Sequence, residues 1–266
     1  MLESPSTPQT SAIAGYASIN YRLSPYPSDS ENPSTPDDPA RNVVYPAHLR
    51  DVLDALVFLQ ESYGFGERYI LAGHSAGAVL AWHVVMDEWQ HFKDRASSSS
   101  EGSKNPSKPL GIISLAGIYD LIKLRDRHRD DPSYEDILNS AFPEGPKLWE
   151  AISPATWLTA HVRKLNTTWP NGRLVIVAHS RDDEMVESQQ AIELMEAIEE
   201  HDSGSDGSLV GNLVKKIAPD ADTKTSKRTY EMVWLQGRHN DVFEQGNIFA
   251  GIILKAIDYY LGGTLG

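Results

Sequence analysis

The sequence predicts a mostly parallel α/β sheet with helices on both faces. Three observations predict it. Short apolar runs alternate with stretches of helical periodicity, the pattern of strand–helix–strand units. The runs are almost continuously apolar, as strands buried on both faces are. A length of 266 residues with 40% hydrophobic residues suits one large α/β domain spanning residues 1–266 better than two small ones.

The elements follow in order. Residues 1–11 carry neither a basic n-region nor an apolar core and read as a disordered tail rather than a secretory signal. Residues 12–23 (AIAGYASINYRL) are apolar and β-rich and predict a strand that ends at Ser24-Pro25. Residues 25–41, rich in Pro, Ser and Asp, predict a loop. Over 48–63, Leu49, Val52, Leu53, Leu56 and Leu59 fall on one helical face, Asp51 suits the dipole of the early turns, and Gly64 and Gly66 stop the helix. Residues 68–72 (RYILA) predict a strand that runs into GHSAG, and AVLAWHVVMDEW after it has helical spacing. Residues 97–109 predict a polar loop and 110–115 a buried strand. Residues 123–170 predict irregular helices and loops. A strand over 174–178, a helix over 187–200, a polar insertion over 202–228, a strand over 230–235 and a closing helix over 248–261 complete the chain.

Composition narrows the function. The net charge of −13 disfavours nucleic-acid phosphates and anionic membrane surfaces as partners. The lack of any cysteine excludes disulfides, a thiol nucleophile and thiolate metal sites, and fits a soluble cytoplasmic protein. No apolar run approaches membrane-spanning length.

The chemistry centres on Gly73-His74-Ser75-Ala76-Gly77, a G-x-S-x-G sequence. Read as a nucleophile elbow, it needs a strand before the serine and a helix after it, with glycines that let the backbone turn tightly. Both flanking elements are predicted here; the competing reading is a structural Gly-Ser-Gly turn. The helix start beyond Ser75 would offer the Ala76 N–H to a developing oxyanion. In this fold the order is serine, acid, histidine. After the strand at 174–178, Asp182 and Asp183 both qualify as the acid, and either could instead cap the next helix. After the last predicted strand, His239 is the one histidine in the loop and is in the correct order. His48 and His83 sit on predicted helices, His128 lies in a polar run and His179 precedes the acid, so each serves poorly as the base. No H-x-x-x-H or carboxylate–histidine cluster suggests a metal site.

With those residues in hand, the chain resembles the α/β-hydrolase fold, and more closely the fungal kynurenine formamidases (arylformamidases). The resemblance covers most of residues 15–260 and rests on INYRLSP (19–25), the helix HLRDVLDALVFLQ, YGFGERYILAGHSAGA, GIYDL (117–121), Ser153-Pro154, HSRDDE (179–184) and GRHNDVFE (237–244). It implies a triad of Ser75, Asp183 and His239, with Ala76 as one oxyanion donor. It implies hydrolysis of N-formyl-L-kynurenine to L-kynurenine and formate, a step of tryptophan degradation that feeds NAD synthesis. It implies a small-molecule substrate and no metal or organic cofactor, and it is compatible with a homodimer.

One departure from the family pattern shapes the expectations. The family's second oxyanion donor lies in an H-G-G-x-W segment, and no histidine here is followed by glycine. INYRLSP would belong to the strand after that segment, so the fold is expected to be N-terminally incomplete, with the missing strand encoded upstream of Met1. A general carboxylesterase and an inactive hydrolase-like binding protein stay open beside the formamidase. Trp82, Tyr119, Trp149 and Trp157 could stack on an arylamine, but core or lid packing is the simpler role for each.

Overall fold

A computed structural model describes residues 11–86, 104–161, 164–203 and 228–262. Residues 1–10 of the expected tail, 97–103 of the second polar loop and 204–227 of the polar insertion lie outside them.

Among the described residues, four strands form one sheet in the order β1-β2-β3-β4: Ile70–His74, Gly111–Leu115, Leu174–Ser180 and Thr229–Leu235. All three pairings are parallel, with Ile70 opposite Gly111, Gly111 opposite Leu174, and Leu174 opposite Thr229. Parallel pairs need crossovers, and helices are present in each: α2 (Ala76–Met86) between β1 and β2, α3 (Leu121–Arg127) to α7 (Lys164–Thr168) between β2 and β3, and α8 (Gln189–Ser203) between β3 and β4, while α1 (Ala47–Tyr63) precedes β1. Between α3 and α7 come α4 (Pro132–Ala141), α5 (Pro146–Ile152) and α6 (Pro154–Ala160). The short α9 (Asp241–Glu244) and the closing α10 (Asn247–Tyr260) follow β4.

The apolar strands are buried on both faces, as their composition requires. Successive residues of β2 and β3 serve opposite cores. Ile112, Val175 and Val177 pack with Trp82 of α2, Trp157 of α6 and Leu194 of α8. Ile113, Leu174, Ile176 and Ala178 pack with Val242, Ile252 and Ala256 of α9 and α10. Helix α2 is buried from Ala78 to Met86 because a third cluster, with Leu49, Leu53 and Leu56 of α1, covers its other side. A helix apolar all round is stable only when enclosed in this way. Each buried Leu, Ile or Val contributes about 1.5–3 kcal/mol. Helix α1 ends at Gly64, whose left-handed φ of 65° lets its N–H bond the Gln60 carbonyl.

One expectation is corrected and another extended. Residues 12–23 do not form a strand. A strand persists only where a neighbour satisfies its backbone groups, and this segment joins no ladder. Its backbone is tied instead to the loop that follows, with Leu23 N–H donating to Ala40 O and Val43 N–H to Leu23 O. It still lies on α1, where Ile19 and Tyr21 join the third cluster. The sheet therefore has β1 at one edge among the described residues, with no gap at its centre. Asp51 likewise does more than complement a dipole: it accepts two hydrogen bonds from the Arg22 side chain, at 2.7 and 2.9 Å, and one from the Arg22 N–H. That pins the 12–23 segment to the helix.

Candidate active site

Parallel α/β sheets place ligands at the C-terminal ends of their strands. Ser75 follows β1, Asp183 comes just after β3, and His239 lies in the loop after β4. The three residues thus share one edge of the sheet.

Ser75 sits in the left-handed region, with φ of 52°. A non-glycine residue there costs about 1–3 kcal/mol. The cost is borne because its N–H extends the sheet ladder, donating to Leu115 O at 2.9 Å, while α2 begins at once behind it. Ala76 opens that helix, so its N–H has no intrahelical carbonyl to meet.

The two glycines of the motif play unequal parts. A Cβ on Gly73 would lie 2.1 Å from the Gly77 carbonyl oxygen, whereas a Cβ on Gly77 would meet nothing within 4 Å. The close approach at Gly73, and not freedom at both glycines, is what the turn needs. Gly73→Ala is expected to destabilise the protein by about 3 kcal/mol or more, the upper range of overpacking. Gly77→Ala, inside a helix, is expected to be neutral or to gain up to about 1 kcal/mol. Thermal unfolding of the two variants checks this; equal shifts would contradict it.

His239 is buried, and its Nδ1 lies 2.8 Å from Asp183 Oδ2 and 3.0 Å from Oδ1. Donation of Nδ1–H to the carboxylate leaves Nε2 free to take a proton. The Asp183 carboxylate is fully enclosed and well supplied with donors. Its Oδ1 accepts from the N–H groups of Met185 at 3.0 Å and Val186 at 2.8 Å. His179 Nε2 lies 3.4 Å from Oδ2 and 2.8 Å from the Val186 carbonyl. Burial pushes the Asp183 carboxyl up, but hydrogen bonds from His179, His239 and the Val186 N–H outweigh it and hold the group below the usual carboxylate range.

Of the two adjacent acids, Asp183 meets the histidine. Asp182 is exposed, and its N–H is bonded to Ser180 Oγ. The contacts of His239 run to Asp183, Glu184 and His74, and a hydrogen bond from the Ser75 hydroxyl is not among them. In unliganded enzymes such bonds are often long and tighten with substrate. The turn at Ser75 and the His239 loop are nonetheless joined through His74. Its ring packs on His239 with centroids 4.5 Å apart, and its Nε2 donates to the His239 carbonyl at 3.0 Å. Burial, then the charge of His239, lowers the His74 pKa to about 4, so His74 is neutral at neutral pH.

Sequence reasoning discarded His179 as a base and found no role for it, yet it is fully buried with its Nε2 3.4 Å from Asp183 Oδ2. The signal was its place in β3 four residues before Asp183. His48 bonds Ser24, His83 bonds the Ile152 carbonyl and His128 pairs with Glu187. Trp82, Tyr119, Trp149 and Trp157 are all buried in the core. Apolar surface near the site comes instead from Phe243, which packs edge-on against His74, and Met185, both nearly half exposed. Among the described residues no group of three or more His, Cys, Asp or Glu side chains is arranged to hold a metal ion, and no helix is long and apolar enough to cross a membrane.

Comparison with known proteins gives the site its relatives. The family model BD-FAE matches residues 7–198, a stretch that contains Ser75 and Asp183 and stops before His239. The kynurenine formamidase-like hydrolase fscH of Fusarium equiseti is 32% identical over 253 residues, which is 93% of this chain and 71% of that protein. The kynurenine formamidase avaC of Aspergillus versicolor is 33% identical over 205 residues, 70% of this chain and 63% of that one. A kynurenine formamidase of Meyerozyma guilliermondii is 30% identical over 66% of this chain and 56% of its own length. Among solved structures, an acetyl ester-xyloside bifunctional hydrolase from Caldicellulosiruptor lactoaceticus superposes with a TM-score of 0.50 at 14% identity, over 83% of this chain and 66% of that chain. A truncated carbohydrate esterase from gut microbiota does so with a TM-score of 0.50 at 14% identity, over 82% and 72%. The solved structures share the fold, and the sequence relatives narrow it: this chain belongs to the BD-FAE family of α/β hydrolases, among the kynurenine formamidase-like hydrolases.

Proposed function

We propose that this hydrolase uses Ser75, His239 and Asp183 as a triad to cleave the formamide of N-formyl-L-kynurenine, releasing L-kynurenine and formate. The observation that carries the reading is the enclosed Asp183–His239 pair at 2.8 Å, on the same sheet edge as a strained Ser75. The substrate is taken from the activity for which the relatives are named.

The proposed chemistry uses these groups in turn. Ser75 Oγ attacks the formyl carbon while His239 Nε2 takes its proton. Asp183 stabilises the imidazolium and keeps Nδ1 protonated. The Ala76 N–H, at the helix start, faces the developing oxyanion; one such donor is worth about 10²–10³ in kcat. His239 then gives its proton to the departing arylamine as the C–N bond breaks. Water, deprotonated by the same histidine, cleaves the formyl ester and regenerates Ser75. Phe243 and Met185 offer the aryl ring an apolar surface beside the triad. The step would serve tryptophan degradation toward NAD in the cytoplasm.

Turnover of N-formyl-L-kynurenine and of p-nitrophenyl acetate by the purified chain tests this. The formamide is expected to show the higher kcat/KM. The reverse preference would make the protein a carboxylesterase. No turnover of either, with no fluorophosphonate adduct on Ser75, would make it a hydrolase-like binding protein.

A further inference from the structure

His239 sits on a loop, where backbone groups ordinarily turn to water. Both of its own are held by side chains instead. Its N–H donates to Glu184 Oε2 at 3.0 Å, and its carbonyl accepts from His74 Nε2 at 3.0 Å. The two holders are chain neighbours of the other proposed triad members: Glu184 follows Asp183, and His74 precedes Ser75. With Asp183 on Nδ1, His239 is fixed at three points from two different strands.

We infer that Glu184 and His74 are positioning residues that lock the main chain of His239 between the nucleophile and the acid. The inference rests on the triad reading above. A ring tethered only at Nδ1 can still travel with its loop. A displacement of about 1 Å at a catalytic group costs on the order of a hundredfold in rate. Holding the peptide on both sides of the Cα removes that freedom. The holders are themselves held. Arg238 pairs with Glu184 at 3.2 Å, and Phe243 lies edge-on to His74 with centroids 4.8 Å apart. Because its partner is a carbonyl, His74 carries its proton on Nε2 and cannot accept one there. The main-chain hold also gives a reason for an acidic residue directly after the acid and a donor directly before the nucleophile.

Labelling of Ser75 by a fluorophosphonate needs no knowledge of the substrate and reports how well His239 activates the serine. The rate is to be measured for the wild-type chain, Glu184→Ala, Glu184→Gln, His74→Phe, His74→Gln and His239→Ala. Glu184→Ala and His74→Phe are expected to label about ten- to a hundredfold more slowly, with melting temperature unchanged in Glu184→Ala, whose side chain is 40% exposed. Glu184→Gln keeps an acceptor and His74→Gln keeps an N–H donor, so both should recover most of the rate. The downfield proton resonance of the His239–Asp183 hydrogen bond should broaden in Glu184→Ala and persist in Glu184→Gln. Should His74→Phe fail to fold, the Glu184 pair decides alone. Slow labelling in His239→Ala beside wild-type rates in Glu184→Ala and His74→Phe would overturn the positioning role and leave the triad standing. Equal losses in the alanine and glutamine variants at Glu184 would also overturn it. Labelling of His239→Ala at the wild-type rate, or none of the wild-type chain, would sink the triad reading and this inference with it.

Discussion

Ser75→Ala is expected to lower kcat by about 10⁴–10⁶, the loss typical when a serine nucleophile that acts as a unit with its base is removed. KM should move little, because the hydroxyl reacts rather than binds. A companion variant separates chemistry from strain. Ser75 holds a φ of 52°, and alanine, with its Cβ, keeps the same penalty. Ser75→Gly removes it at the cost of more freedom in the unfolded chain. Ser75→Gly is therefore expected to be inactive yet more stable than either the wild type or Ser75→Ala, by about 1 kcal/mol, or roughly 2–4 °C in Tm for a chain of this size. Kinetics and thermal unfolding on the three proteins check both halves. Retained turnover in Ser75→Ala would remove the nucleophile from the mechanism. A melting temperature lowered by glycine would mean that the elbow is not strained.

Asp183→Asn is expected to cost about 10⁴ in kcat, the loss known for an acid replaced by its amide in such triads. The structure gives this chain its own reason. Asp183 Oδ1 accepts two backbone N–H groups, from Met185 and Val186. In the variant the amide oxygen must stay with those two donors, so the NH₂ takes the place of Oδ2, 2.8 Å from His239 Nδ1. That nitrogen would then have to accept, the proton would move to Nε2, and the base would have no lone pair to offer Ser75. The same NH₂ would face the Nε2–H of His179, so some stability should be lost as well. The pH dependence follows from the direction of the shift. The folded pKa of Asp183 is depressed, so its ionised form stabilises the fold at all pH above the unfolded value of about 3.9. That contribution is lost only as pH falls from there through the folded pKa. Comparison of the two proteins by thermal unfolding should show a constant stability gap from neutral pH down to about pH 4 that narrows below it. A gap that closes between pH 5 and 7 would assign the titration to another group.

Much of this was written in local sequence. The continuous apolar runs at 110–115 and 174–178 specify strands buried on two faces, and the spacing of Leu49, Val52, Leu53 and Leu56 specifies the face of α1. Each signal lies among near neighbours in the chain, where side-chain periodicity is enough. The order of Ser75, acid and His239 was legible for the same reason, since each falls just beyond a readable strand. Other features depend on what the fold brings alongside. The run at 12–23 has the composition of a strand, but a strand is a relation between two segments, and this one has no partner in the sheet. Asp182 and Asp183 are chemically identical neighbours in sequence. The turn after β3 exposes one and encloses the other against His239, His179 and two N–H groups, and only tertiary contact can make that choice. The contacts of His179, His74 and Glu184 were not legible because their partners lie in other segments or are backbone atoms, which no residue type announces. By itself the sequence determined a parallel α/β sheet with Ser75, His239 and two adjacent aspartates just beyond its strands. The tertiary structure decided which aspartate meets His239 and which hydrogen bonds surround the pair, because those are settled by packing between segments distant in the chain.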